Sequence, residues 1–131
     1  MTKAAALKKW FHNAVPGLKF YPETAVPSKL HGDTEDAAFP YGTYTPSYSA
    51  WDDGEASVTV NLWFHGRDEA PANAAAQALS NAIGQSGVTV PCDGGLIWLK
   101  RGTPFSQAVQ DDDPDIKRRY INITAEYITI D

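Results

Sequence analysis

The stretch Ala56-Ser57-Val58-Thr59-Val60-Asn61-Leu62-Trp63-Phe64 decides the fold. Ala56, Val58, Val60, Leu62 and Phe64 alternate with Ser57, Thr59, Asn61 and Trp63. A period of two puts the first set on one face of a strand and the second set on the other. The first face is apolar, and the second is mostly polar. Such a strand belongs to an antiparallel sheet with one face packed against helices.

Two segments supply the helices. Ala4–Val15 carries Leu7, Trp10, Phe11 and Ala14 at i, i+3, i+4 and i+7, with Lys3, Lys8 and Lys9 off that face. Pro16-Gly17 ends it. Ala70–Ile83 places Ala72, Ala75, Ala76, Leu79, Ala82 and Ile83 on one stripe. Pro71 suits its first turn, and Gly84 or Gly87 suits its exit. A stripe made mostly of alanine lets the helix approach the sheet closely.

The remaining segments read as strands and loops. Leu18–Tyr21 is a short strand ending at Pro22. Residues 22–38 hold two prolines, a glycine and Asp33, Glu35 and Asp36 with little periodicity, which predicts a loop. Phe39–Tyr48 is rich in aromatics but holds Pro40 and Pro46, which predicts an irregular edge strand. Trp51-Asp52-Asp53-Gly54 reads as a turn. Val88–Pro91 and Leu96–Lys100 are short strands, the latter closed by a Lys-Arg-Gly turn. An acidic loop, Asp111–Asp115, precedes a last strand over Ile116–Ile130. The order α-β-β-β-α-β-β-β predicts one α+β domain over residues 1–131. It has a mainly antiparallel sheet with two helices packed on one face.

Composition narrows the function classes. The chain has 131 residues, 43% apolar and 21% charged, which fits one globular domain with a real core. No apolar run is long enough to cross a bilayer as a helix, so no membrane role is expected. The first ten residues lack the apolar core of a signal peptide. The single cysteine, Cys92, rules out an internal disulfide and fits a reducing compartment such as a bacterial cytoplasm. A net charge of −5 gives no general attraction for nucleic acid. The basic pairs Lys8-Lys9 and Lys100-Arg101 and the run Lys117-Arg118-Arg119 read as solvated ends of elements.

Chemistry-bearing patterns are weak. Cys92, His65 and Asp93 would have to converge to make a thiol nucleophile, and nothing in their spacing brings them together. His12, His31 and His65 have no metal-ligand spacing. Asp111, Asp113 and Asp115 match the first three ligand positions of a calcium loop. Ile116 stands where that loop needs glycine, and Asn122 where it needs a bidentate glutamate, so the motif fails. Asp93-Gly94-Gly95 is no phosphate-binding pattern. No enzyme activity, cofactor or metal is expected.

Four motifs taken together carry a resemblance. They are Phe39-Pro40-Tyr41, Val60-Asn61-Leu62-Trp63-Phe64, the run Val90–Gln107 with its Asp93-Gly94-Gly95-Leu96-Ile97-Trp98 centre, and Tyr120–Tyr127. In that order the chain resembles the tail terminator (tail-completion, or minor capsid) proteins of long-tailed bacteriophages. The resemblance implies a virion protein that caps the tail tube as a ring, typically a hexamer. Such a ring stops tube polymerisation and forms the surface that joins the head. Its partners would be further copies of itself, the major tail tube protein and a head-completion or connector protein. DNA would pass through without specific binding. Such a protein would be found in the virion tail, and in the host cytoplasm during assembly. The alternatives are a neck or head-completion protein of the same virion and, from a different class, a small hydrolase.

The residues offered for subunit or tube contacts are Tyr44, Tyr48, Trp51, Trp63, Lys100, Arg101, Asp111, Asp112 and Asp113. Aromatics beside a proline-broken edge are common ingredients of protein interfaces. One electrostatic arrangement pairs Lys100-Arg101 of one subunit with Asp111–Asp113 of the next.

Overall fold

A computed structural model of the chain describes residues 1–28, 32, 37–48 and 54–130. Helix α1 spans Lys3–Ala14. Thr2 caps it by accepting the Ala5 N–H at 3.2 Å on its hydroxyl. Leu7 and Phe11 are fully buried, with Ala6 beside them, while Trp10 and Ala14 are half-buried at the margin. Helix α2 spans Ala70–Ile83 and has Pro71 in its first turn. Its buried stripe is Ala72, Ala75, Leu79 and Ile83. Gly84 ends it, donating its N–H to the Ser80 carbonyl.

Six strands make one sheet: β1 (Lys19–Pro22), β2 (Tyr41–Tyr48), β3 (Gly54–His65), β4 (Val88–Cys92), β5 (Gly95–Gln110) and β6 (Ile116–Thr129). Their spatial order is β1-β2-β3-β6-β5-β4. The class is α+β, as the sequence predicts. Of the five neighbouring pairs four are antiparallel, while β1 and β2 run parallel, so the sheet is mixed. A parallel neighbour needs a long connection rather than a tight turn. The segment between Pro22 and Tyr41 supplies that length.

The central pair β3–β6 forms the floor of the core. Val58 faces Ile123 and Val60 faces Ile121, and all four side chains are fully buried. Burying each such side chain contributes about 1.5–3 kcal/mol. Both helices lie on this face. Phe11 of α1 stacks on Tyr44 of β2 at 4.5 Å and packs against Phe20 of β1 at 5.2 Å. α1 also touches β4 at the far edge of the sheet, so the sheet curls around it.

Two strand expectations need correction. The first is β2, which is interior: β1 covers Tyr41–Tyr44. Only Thr45–Tyr48 extends past β1, so the edge character is confined to the part that holds Pro46. The second is the Lys100-Arg101-Gly102 segment, which is not a turn ending a short strand. β5 continues through it to Gln110, with a register shift between Arg101 and Ser106. Gly102 sits so close to β6 that a Cβ there would lie 2.7 Å from the Asn122 carbonyl oxygen. The Asn122 side-chain amide donates to the Pro104 carbonyl at 2.9 Å and fastens the bulged residues to β6. The Lys-Arg-Gly signal thus marks the start of a bulge inside a strand rather than the strand's end. The Trp51–Gly54 turn falls largely outside the described residues.

Candidate functional site

Along both sides of the sheet, edge strands cover only part of their neighbours. β4 pairs with β5 from Gly95 to Leu99 and stops there. From Lys100 to Gln110, β5 has β6 on one side and no strand on the other among the described residues. On the opposite side, Thr45–Tyr48 of β2 extends beyond β1.

Lys100 and Arg101 stand at one end of the bare β5 edge, and Asp111, Asp112 and Asp113 stand just past the other. On β6 the partners of Arg101 and Gln110, Ile123 and Lys117, lie six positions apart, a run of about 20 Å. The Lys100 ammonium lies 3.7 Å over the Trp98 ring. The Arg101 guanidinium donates to the Ser80 carbonyl at the end of α2, at 3.0 and 3.3 Å. At the acidic turn, Asp111 accepts the Asp113 N–H at 3.1 Å and Asp113 accepts that of Asp115 at 2.9 Å. Arg67 holds the Asp115 carboxylate at 2.8 Å. These carboxylates shape the hairpin turn between β5 and β6. No group of three or more potential metal-ligating His, Cys, Asp or Glu side chains occurs among the described residues.

The aromatic candidates divide. Tyr44 is 4% exposed and stacked on Phe11, so it is a core residue and not a contact residue. Register explains this: Tyr44 lies opposite Val60, on the helix-covered face. Trp63 is half-buried on the opposite face of the sheet, stacked with Tyr41 at 5.1 Å and flanked by the Arg118 guanidinium at 5.3 Å. Arg118 in turn donates to the Asn61 side-chain oxygen at 2.8 and 3.0 Å. Tyr21 and Phe39 lie against Tyr41 at 6.3 and 5.5 Å. These rings stand against one another on that face. Burial pushes the Tyr41 phenol up from its ordinary pKa. The side chain of Tyr48 and the whole of Trp51 lie outside the described residues.

The hairpin is fastened to α2 by a polar cluster that the sequence reading missed. Arg119 is 7% exposed on the helix side of β6. It donates to the Glu69 carboxylate and, at 2.9 Å, to the Asn73 side-chain oxygen. Lys117 lies 3.9 Å from the same carboxylate. The Arg119 hydrogen bond holds the Glu69 carboxyl below its ordinary range. In the sequence, Arg119 stands among the alternating apolar residues of the inward face, and that position was the available signal.

His65 and Cys92 do not meet. His65 pairs with Ile116 near one end of the sheet, whereas Cys92 pairs with Gly95 at the other. A groove of about 500 Å³ runs between α1 and β4, lined by Ala6, Lys9, Trp10, Val90, Pro91 and Cys92 among others.

No protein-family model matches this chain, and no curated protein matches it. Solved structures do match: one of them is similar over 100% of this chain and 99% of its own, with 11% identity and a TM-score of 0.61. At that identity the likeness is one of fold alone: the chain shares its architecture with a solved protein from end to end.

Proposed function

We propose that this chain is a structural virion protein of a long-tailed phage that caps the tail tube as a ring. The observation that supports this reading best is that, among the described residues, β2 past Tyr44 and β5 past Leu99 have no strand on their outer sides, at opposite sides of one sheet. A subunit with different unpaired edges on its two sides can join copies head to tail, and such a contact gives a ring when the rotation closes. The sequence resemblance supplies the rest: a ring of about six subunits, contacts to the tube protein and a head-side connector, and free passage for DNA. The reading assigns no catalysis and no cofactor to the protein.

Complementation tests it. Supplied in trans, the protein is expected to rescue an infection by its own phage in which overlong tails form because the terminator is missing. Rescue confined to an infection with normal-length tails and DNA-leaking heads would instead assign it to the neck. Rescue of neither would reject both virion roles.

A further inference from the structure

The bare part of β5 is protected only in its first half, by Lys100, Arg101, Pro104 and the bulge between Arg101 and Ser106. Natural edges carry charges, prolines or a covering element. β1 carries Lys19 and ends at Pro22, and β4 carries Pro91. From Phe105 to Gln110 the β5 edge reads Phe-Ser-Gln-Ala-Val-Gln, with no charge and no proline. Ser106, Gln107, Ala108 and Gln110 are exposed, and all pair with β6 in regular register. Among the described residues, this is an uncharged strand edge with no strand on its outer side.

The charges around it specify which chain. The edge is basic at its start, with Lys100 and Arg101, and acidic at its finish, with Asp111, Asp112 and Asp113. Two identical edges of this kind attract only when laid antiparallel, because each basic end then meets an acidic end. We propose that a second copy of this chain pairs with the β5 edge around a two-fold axis at Ala108. Ser106 then lies opposite Gln110 of the second copy. Ser106 is level with Ile121 of β6, and Arg101 is level with Ile123, only two positions further. The bulge has drawn Arg101 toward the axis. Arg101 therefore comes opposite the Asp111–Asp113 turn of the second copy, two positions beyond Gln110. This contact is isologous and closes on itself; it uses the same β5 edge as a head-to-tail contact, so in any one copy the two exclude each other, and it is argued without the tail reading.

Sedimentation velocity on the intact chain, up to about 1 mM, tests the contact, with hydrogen exchange as a second readout. The expected result is a concentration-dependent dimer, with Ser106–Gln110 amides more protected at high concentration. Asp112→Arg and Lys100→Glu, each checked for native circular dichroism, break two symmetry-related attractions and are expected to raise the dimer Kd about tenfold. The double variant is expected to recover most of that loss. A monomer at every concentration would overturn the proposal. So would an oligomer that ignores both reversals or leaves the Ser106–Gln110 amides unprotected. Failure here leaves complementation of the overlong-tail infection as it was, so the two ideas fail separately.

Discussion

Replacing Phe11 by alanine tests whether the helix-covered face carries the core. Phe11 is fully buried and contacts Trp10, Phe20 and Tyr44 with ring centroids at 5.0, 5.2 and 4.5 Å. It is the side chain through which α1 grips β1 and β2. A buried Phe→Ala change costs about 3–5 kcal/mol through lost transfer energy and the cavity left behind. The surrounding rings are anchored on two strands and a helix, so collapse into the cavity is limited and the upper half of that range is expected. Unfolding entropy runs at about 2.1 cal/mol/K per residue. Over 131 residues, each kcal/mol therefore moves the Tm by about 3.6 °C. Phe11→Ala should lower the Tm by about 14–18 °C in differential scanning calorimetry. Trp63→Ala is the control, because Trp63 is half-buried on the uncovered face and should cost less than half as much. Equal losses at the two sites, or a drop under about 5 °C at Phe11, would refute the assignment of the two faces.

Glu69 gives a pH signature. Its folded pKa is held below the ordinary glutamate value by the Arg119 hydrogen bond. Its contribution is therefore present above the unfolded value of about 4.3 and is lost as the pH falls through the lower folded value. The Tm gap between wild type and Glu69→Gln should be constant near neutrality and close as the pH falls below about 4; a gap that widens on acidification would contradict the pairing. Thr43 is 2% exposed, and its hydroxyl is buried without a hydrogen-bond partner. Thr43→Val removes an unsatisfied polar group at nearly constant shape, so chemical denaturation should find stability unchanged or raised by about 1 kcal/mol. A clear loss of stability would mean that the hydroxyl is satisfied in solution.

The parts of the fold legible in the sequence are those set by periodicity. Alternation over Ala56–Phe64 and Ile121–Tyr127 became the paired central strands. The apolar stripes at Leu7–Phe11 and Ala72–Ile83 became the buried faces of the two helices. Failures came where local signals competed with tertiary context. Pro40 and Pro46 marked β2 as an edge, yet β1 returns to cover its first half. Lys100-Arg101-Gly102 announced the end of a strand, but close approach to Asn122 and a bulge let β5 continue. That error hid the bare β5 edge, since its residues follow the apparent break. Lys100, Arg101 and Asp111–Asp113 were legible from charge alone. Their positions at the two ends of one edge were not, because they depend on where β4 stops. Tyr44 was misassigned because its face is set by register with Val60, which aromatic content does not reveal.

Tail tubes polymerised from the tube protein of the same virion, with and without the purified chain, offer the most direct test of the central claim. Negative-stain images should show tubes shortened by the added chain, each with one end closed by a ring of about six subunits. Tubes of unchanged length with open ends, under conditions where the chain is folded and in excess, would contradict the account.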